Sequence, residues 1–264
     1  MEPNKKNKII IPKSHPRYES LNIRHKIING MKDLVVAEAG LIAHGRGEAF
    51  DYILRERTTK YSQKAIIAAI SLLYLSDHPI ISVNGNVAAL VPKGLVKLSR
   101  IMKIPLEINL FYKKKGRINA IKNVLERSGA TNILGLDESK MVELDGLESN
   151  RRLIDPEGIK KADTVFVPLE DGDRTEALKK LGKRVITVDL NPISRTALWA
   201  DITIVDNIVR AIPTMIGFSQ KLKNSKKSEL KNILDKYNNK KVIQDSLTLI
   251  QDYIEHKKRE LFDV

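Results

Sequence analysis

The chain has 264 residues, of which 42% are hydrophobic and none is cysteine, and its formal net charge is +14. This length and apolar content fit one large α/β domain or two smaller domains with a sizeable core, and they exclude global disorder. The lack of cysteine excludes disulfides and thiolate metal sites and predicts a reducing, cytoplasmic compartment. The five histidines show no paired metal-ligand spacing, no apolar run approaches the length of a membrane span, and the apolar run near the start is too short for a signal peptide.

The first 78 residues predict a mainly helical region. Ser14, followed by Pro16, is typical of a helix start, with Ser14 as its cap. A buried, alanine-rich helix is predicted for residues 62–75, and a short one for residues 48–55. The stretch AGLIAHGRGEAFDY, residues 39–52, leads into the short helix and overlaps its start. Its HGRG segment predicts either a plain helix-loop-helix corner or a loop in which Arg46 and the backbone hold an anion.

The sequence from residue 79 onward alternates between short β-branched runs and helical spacing. Six strands are predicted, at residues 80–83, 106–110, 132–136, 164–167, 184–188 and 202–205. Helices are predicted at residues 87–102, 117–127, 173–181 and 242–261. Strands that alternate with helices predict an α/β fold, a Rossmann-like, mostly parallel sheet of about six strands flanked by helices. We divide the chain into a helical N-terminal region that contributes to the active site (1–78), a nucleotide-binding core (79–223) and a C-terminal helical segment (224–264).

Two standard nucleotide motifs are absent. GRGEAF, residues 45–50, is only superficially similar to a dinucleotide fingerprint, because a phenylalanine replaces the third glycine and no βαβ unit surrounds it. PKGLVKLS, residues 92–99, lacks the first glycine and the ending of a Walker A loop. A nucleotide would therefore bind through a different set of loops.

Polar residues follow several predicted strands, at the edge where ligands bind in parallel sheets. Asn84, Gly85 and Asn86 follow the first strand and open a helix, where backbone N–H groups favour an anion. A turn with an asparagine cap is the better explanation of these three residues taken alone. In the loop at residues 169–178, Asp171 or Asp173 is a plausible helix cap, and a metal role would need partners that spacing does not reveal.

Residues 188–213 carry a denser pattern. One strand ends at Asp189, Leu190 and Asn191, and Pro192 is predicted to begin a helix that carries Arg195 and Thr196. The next strand ends at Asp206 and Asn207, and the helix after it carries Arg210. Carboxylates and amides suit ribose and base edges, and arginine suits phosphates. Two such ends side by side favour a binding site.

Five segments together resemble one family. They are IPKSHPRY (11–18), AGLIAHGRGEAFDY (39–52), PLEDGDRTEAL (168–178), DLNPISRTA (189–197) and DITIVDNIVRAIP (201–213). In this combination and order they resemble the archaeal phosphopantothenate synthetases, the 4-phosphopantoate–β-alanine ligases.

This resemblance implies a cytoplasmic, homodimeric enzyme of coenzyme A biosynthesis. It would join 4-phosphopantoate to β-alanine with ATP, through an acyl-adenylate, and release AMP and pyrophosphate, with Mg²⁺ as the accompanying ion and no metal held by protein side chains. The implied ATP-binding residues are Arg17, Arg46, Asp189, Leu190, Asn191, Arg195, Thr196, Asn207 and Ile208. No catalytic residue is assigned, and Arg46 is the best candidate for stabilising transition-state charge. Asn84, Gly85, Asn86 and His44 are the candidate substrate-binding residues.

Two other classes remain open at the level of sequence. The positive charge, concentrated at residues 1–13 and 221–241, is also compatible with a nucleic-acid-binding protein built on a nucleotide-binding fold. Sparse aromatic residues and the lack of a recognisable binding motif argue against nucleic acid. A nucleotide-sensing module without turnover is the third possibility.

Overall fold

The computed structural model of the protein describes residues 11–144, 149–169 and 172–262. The α-helices are α1 Tyr18–Lys32, α2 Glu38–Ile53, α3 Lys60–Leu75, α4 Gly85–Leu90, α5 Pro92–Met102, α6 Arg117–Arg127, α7 Gly172–Lys180, α8 Arg195–Trp199, α9 Ile208–Leu222, α10 Lys227–Asp235 and α11 Asn239–Phe262. The strands are β1 Pro79–Val83, β2 Leu106–Ile108, β3 Ile133–Leu134, β4 Val142–Glu143, β5 Leu153–Ile154, β6 Thr164–Pro168, β7 Arg184–Val188 and β8 Ile202–Ile204. No helix in this described part is long and apolar enough to cross a membrane.

A six-stranded sheet lies at the centre of the molecule, in the order β3-β2-β1-β6-β7-β8. Every pairing in it is parallel. If the separate antiparallel ribbon of β4 and β5 is set aside, this is the strand order of dinucleotide-binding Rossmann sheets. The predicted α/β class, the number of sheet strands and the helical N-terminal region are confirmed. The order reverses between β1 and β6, and ligands bind beyond the strand ends at such a switch point.

Both faces of the sheet are covered, which explains why its strands are short continuous apolar runs. Val165 and Val167 of β6 pack on one side with Leu178 of α7, whereas Phe166 packs on the opposite side in the cluster that includes α3. Neighbouring strand residues point to opposite faces, so one strand supplies both cores. Every residue of β6 is buried.

Helix α3 is the most deeply buried helix of the larger cluster. Ala65, Ile66 and Ile70 have no solvent-accessible surface, and the Thr59 hydroxyl oxygen caps the helix by accepting a hydrogen bond from the Ser62 N–H at 3.0 Å. The cluster also includes Ile27 of α1 and Val242 of α11. The helices at both ends of the chain therefore share a core with the sheet.

Two predicted helix starts are wrong, and in both cases the proline precedes the helix. Helix α1 begins at Tyr18 without a side-chain cap, so Ser14 does not cap it. The N–H of Arg17, just before the helix, donates to Nδ1 of His15. Helix α8 begins at Arg195, because the Ser194 hydroxyl caps it by accepting from the Ala197 N–H at 2.9 Å. Pro192 lies in the preceding turn.

Other boundaries also differ from the predictions. The helix predicted for residues 87–102 is two helices, since Pro92 begins α5 and the chain bends at Val91. Helix α10 and the ribbon of β4 and β5 were not predicted, and strands of two residues are too short to show alternation. Asp171, a candidate cap, lies outside the described residues, as does most of the basic segment at residues 1–13.

Candidate functional site

Polar side chains meet at the carboxyl ends of the central strands. Asn84 follows β1, and its amide Nδ2 donates to the Leu169 carbonyl beyond β6 at 2.8 Å. Its Oδ1 also accepts from the Val87 N–H at 3.0 Å and so caps α4. Asn84 therefore holds together the two loops at the switch point of the sheet.

The turn after β7 is organised by Asp189. One carboxylate oxygen accepts from the Asn191 N–H at 2.9 Å, and the other accepts a very short hydrogen bond from the Ser194 hydroxyl. Burial raises the pKa of Asp189, while these hydrogen bonds and the nearby Arg46 guanidinium oppose the rise. This turn fixes the backbone at Leu190 and Asn191 before α8 begins.

The end of β8 is tied to helix α2 by a buried polar network. Arg210 Nη2 contacts Asp51 Oδ1 at 2.5 Å and Asp206 Oδ1 at 2.8 Å. The Asn207 amide donates to Asp51 Oδ2 at 2.7 Å, and the Thr58 hydroxyl donates to Asp206 at 2.6 Å. Burial raises the pKa of Asp206, and Arg210 opposes that rise. Arg210 is thus held by two carboxylates and positions Asn207, and it is not a free phosphate ligand.

A cavity of about 450 Å³, which we call the nucleotide cavity, lies over the ends of β7 and β8. The residues of the predicted ATP set that line it are Arg46, Asp189, Leu190, Asn191, Arg195, Thr196, Asn207 and Ile208. Arg17 does not line it. The structure thus brings together eight residues that the sequence places in three separate segments.

The two arginines on the wall of this cavity have different surroundings. Arg195 contacts the carboxylates of Asp173 and Glu176 on α7, at 2.5 and 2.8 Å. Arg46 is exposed and makes no ion pair within 4.0 Å among the described residues, although Asp189 lies within electrostatic range. Arg46 is therefore the cation on this wall that is available to an anion without breaking an existing pair.

Both structures predicted for the HGRG segment are wrong, because it forms neither a helix-loop-helix corner nor a loop. Helix α2 runs without interruption from Glu38 to Ile53, and Gly45 and Gly47 lie in its interior. Two glycines cost a helix about 2 kcal/mol relative to alanine. A Cβ at Gly47 would lie 3.5 Å from the Leu190 side chain, which is an ordinary contact. The packing of α2 against the rest of the fold overrides its weak helical propensity.

His44, a predicted substrate-binding residue, lines the nucleotide cavity instead of the second cavity described below. Its Nε2 atom is buried and has no hydrogen-bond partner among the described residues. Burial lowers the pKa of His44, and Glu48 opposes this. The imidazole is therefore held in its neutral form near pH 7.

A second cavity of about 330 Å³, the acceptor cavity, lies beyond the ends of β1 and β2. The predicted residues Asn84, Gly85 and Asn86 line it. Sequence reasoning missed the aromatic residues Phe111 and Tyr112 and the basic residues Arg117 and Arg151 of this lining. The basic run KKKGR, residues 113–117, was the available signal for Arg117. The two cavities share Ala43, Arg46, Asn86 and Leu169, so they meet at one wall.

Gly85 is required by close packing. A Cβ added there would lie 2.2 Å from the Val35 carbonyl oxygen and 2.7 Å from Arg117 Nη2. The start of α4 can therefore lie against the α1–α2 connection and Arg117 only because residue 85 has no side chain.

No cluster of three or more metal-ligating side chains occurs within residues 11–144, 149–169 and 172–262. Two described carboxylates line the nucleotide cavity, and both already have partners: Asp189 accepts from the Asn191 N–H, and Glu48 contacts Arg24 at 2.9 Å. The described carboxylates therefore present no ready-made cage for a cation.

Comparisons with known proteins identify similar chains. The phosphopantothenate/pantothenate synthetase family matches residues 61–253. Proteins named 4-phosphopantoate–β-alanine ligase from Thermococcus onnurineus and Thermococcus kodakarensis are each 53% identical over 243 residues, which is 92% of both chains. The ligase of the same name from Methanosarcina mazei is 46% identical over 244 residues, covering 92% of this chain and 95% of its own length.

Proposed function

The chain belongs to the phosphopantothenate/pantothenate synthetase family, and from this premise we propose that it is an ATP-dependent 4-phosphopantoate–β-alanine ligase. It joins the two substrates to 4-phosphopantothenate, converts ATP to AMP and pyrophosphate, and serves coenzyme A biosynthesis. The observation that carries the proposal is the pair of cavities that share a wall at Arg46. A reaction between two anionic substrates needs two adjacent sites with a cation between them.

ATP occupies the nucleotide cavity in this proposal. The adenine and ribose lie at the ends of β7 and β8, near Asp189, Asn191 and Asn207, where amide and carboxylate oxygens suit base edges and hydroxyl groups. The triphosphate extends towards Arg46 at the shared wall. Arg17, which the resemblance assigns to ATP, has no support from the wall of this cavity.

4-Phosphopantoate occupies the acceptor cavity, with Asn84, Gly85 and Asn86 in its wall. Small residues of α2 and the preceding turn, Ala37, Ala39 and Ala43, leave room for the branched carbon chain. This arrangement brings the substrate carboxylate to the shared wall and towards the α-phosphate of ATP.

The chemistry proceeds in two displacements. The carboxylate oxygen attacks the α-phosphorus, and pyrophosphate leaves with the electron pair of the broken P–O bond. The neutral amine of β-alanine then attacks the acyl carbon of the acyl-adenylate, AMP leaves with the former carboxylate oxygen, and the nitrogen loses one proton to solvent. Arg46 lies where negative charge accumulates in the first step and stabilises it. No protein nucleophile is needed, in agreement with the lack of cysteine.

Mg²⁺ accompanies ATP in this proposal and offsets charge on its phosphates. Because Mg²⁺ is usually held by substrate phosphates, water and one or two carboxylates, the proposal does not require a cluster of protein ligands.

We also propose that the enzyme is a cytoplasmic homodimer. Large apolar side chains are exposed on the outer surfaces of α2 and α11, among them Ile42, Tyr52, Ile254 and Leu261. Such surfaces are typical of subunit interfaces. Light scattering after size-exclusion chromatography measures the mass directly, and a mass of one chain across micromolar concentrations would reject the dimer.

The test of the function is a product assay with the purified chain. We expect AMP, pyrophosphate and 4-phosphopantothenate only when ATP, β-alanine and 4-phosphopantoate are all present. With ¹⁸O in the 4-phosphopantoate carboxylate, one label should appear in the phosphate of AMP. Formation of ADP and phosphate would reject the adenylate route, and binding of nucleotide without any product would favour a sensing module.

A further inference from the structure

We infer that Arg117 binds the 4-phosphate of 4-phosphopantoate and so determines the preference of the enzyme for this phosphorylated acid. Arg117 is the first residue of α6 and lines the acceptor cavity but not the nucleotide cavity. The inference rests on the proposed function and names the group that recognises one end of its acceptor.

The chemistry of the acceptor fixes its direction in the cavity. In 4-phosphopantoate the carboxylate and the phosphate lie at opposite ends of a four-carbon chain. The carboxylate must reach ATP, so it lies at the wall that both cavities share, beside Arg46 and Asn86. The phosphate must then lie in the part of the acceptor cavity that is not shared, where Arg117 and Arg151 supply positive charge.

The surroundings of Arg117 are unusual for a purely structural arginine. Its side chain is buried, with the whole residue 5% exposed, and it donates to the backbone carbonyls of Tyr112 and Val35. No carboxylate lies within 4.0 Å of it in the described part of the chain, and its buried Nε has no hydrogen-bond partner there. Burial lowers the pKa of Arg117. A buried cation without a counter-ion is costly, and a phosphate dianion would supply that counter-ion.

The loop before Arg117 carries further positive charge next to it in the chain. Lys114 and Lys115 are exposed, and Lys113 contacts Glu138 at 3.2 Å. Gly116, with a φ of 87°, allows the chain to turn from this loop into α6 and so places Arg117 at the first position of the helix. Lysines around an arginine raise the local concentration of an anion and favour its capture.

A purely structural role for Arg117 gives a different expectation. Its two hydrogen bonds to backbone carbonyls hold the α1–α2 connection and the loop before α6. If that were its only role, replacing Arg117 would lower the stability of the protein and would weaken the binding of all three substrates alike. If Arg117 binds the phosphate, replacing it weakens the binding of 4-phosphopantoate alone.

The decisive variants are Arg117→Gln, Arg117→Lys and Arg127→Gln. Arg127 is exposed at the opposite end of the same helix, so Arg127→Gln removes the same charge from α6 outside the cavity. For Arg117→Gln we expect the KM for 4-phosphopantoate to rise about 30-fold or more, as for loss of one partner of a buried charge pair. The KM values for ATP and β-alanine should stay within about threefold, and Arg117→Lys should be intermediate because it keeps the charge.

A parallel rise of all three KM values in Arg117→Gln, or an unchanged KM for 4-phosphopantoate, would overturn the inference. If Arg117→Gln does not fold, hydrogen exchange of the wild-type protein gives the answer. Amides of residues 112–118 should be protected more by 4-phosphopantoate than by pantoate at equal concentration, and equal protection would reject the role. A wild-type protein that makes no AMP from 4-phosphopantoate rejects the function itself, which separates the two failures.

Discussion

At the level of single residues, Arg46 connects the two cavities. It is exposed, lies in the interior of α2 and lines both the nucleotide and the acceptor cavity. Its charge acts on Asp189 across the nucleotide cavity. Because it has no ion pair among the described residues, its guanidinium is available to a triphosphate.

We predict that Arg46→Ala lowers kcat/KM for ATP by about 30-fold or more, since a desolvated arginine–phosphate contact contributes about 2 kcal/mol or more. Arg46→Lys should recover only part of the loss, because an ammonium keeps the charge but not the planar pair of donors. Thermal melts should show stability within about 0.5 kcal/mol of wild type, as for most surface substitutions. Arg57→Ala, which removes an exposed arginine outside both cavities, is the matched control. A folded Arg46→Ala enzyme with normal kcat/KM would end the phosphate-binding role.

Glu107 in β2 is the second residue with unusual chemistry. It is fully buried, and its two carboxylate oxygens accept from the backbone N–H groups of Asp155 and Ile159, at 3.1 and 2.6 Å. Burial raises the pKa of Glu107 to about 7, although these hydrogen bonds and Arg174 oppose the rise. Burial therefore affects the pKa of Glu107 more than its two hydrogen bonds and Arg174 do.

The raised pKa of Glu107 predicts how stability changes with pH. The folded state binds this proton more tightly than the unfolded state, so the contribution is greatest below the unfolded pKa of 4.5 and is lost as pH rises to about 7. Its full size is on the order of 3 kcal/mol. Urea unfolding of the wild type and of Glu107→Gln from pH 4.5 to 8 measures it. We expect the wild-type stability to decline relative to the variant over this range, and parallel curves would contradict the prediction.

At the level of elements, helix α2 forms despite its glycines. Nothing lies within 4 Å of a Cβ added at Gly45. We predict that Gly45→Ala raises stability by about 0.5–1 kcal/mol, because alanine loses less backbone entropy in a helix. Kinetics with ATP should be unchanged, and chemical denaturation measures the gain. A stable Gly45→Ala variant with poor ATP use would restore the idea that the backbone at this glycine approaches the triphosphate.

Gly85, at the start of α4, should respond in the opposite way. An added Cβ meets the Val35 carbonyl oxygen, which belongs to the backbone and moves only with the α1–α2 connection. We predict that Gly85→Ala lowers stability by about 1–3 kcal/mol, the usual cost of overpacking. The same unfolding measurement tests this, and unchanged stability would show that the connection yields easily.

At the level of the whole molecule, the polar network around Asp51 joins the helical N-terminal region to the sheet. Asp51 of α2 accepts from Asn207 and Arg210, which belong to the connection after β8 and to α9. These contacts hold α2, which carries Arg46, against the end of β8, and residues of both line the nucleotide cavity. The division of the chain at residues 78 and 223 stays a prediction, since the larger core includes residues from all three segments.

We predict that Asp51→Ala destabilises the protein by about 3 kcal/mol and also raises the KM for ATP. The variant leaves the Asn207 amide without its acceptor and deprives Arg210 of one of two carboxylates, and breaking a buried pair is strongly destabilising. Denaturation and kinetics on the same preparation measure the two effects. Asp245→Ala is the control, since it removes a carboxylate of α11 that pairs with the exposed Lys241, and it should change both quantities little. Loss of stability with an unchanged KM for ATP would show that Asp51 acts on the fold alone.

The sequence by itself determined the fold class and much of the chemistry. Local patterns predicted the bounds of α6 and β7 and the six strands of the sheet, because apolar periodicity and β-branched runs are local signals. The strand ends at Asp189 and Asn207 were also predictable, since ligands bind at the carboxyl edge of a parallel sheet. The resemblance of five segments supplied the family.

Tertiary structure decided the rest. Glycines at 45 and 47 predict a break, yet packing keeps α2 helical across them, because tertiary contacts outweigh local propensity. Asp51 and Arg210 are separated by 159 residues, and no local pattern reveals that they pair. Arg117 stands in a basic run that suggests an exposed surface, and only the fold buries it beside Gly85. Contacts between distant segments depend on how the whole chain packs, so the walls of the two cavities could not be derived from the sequence.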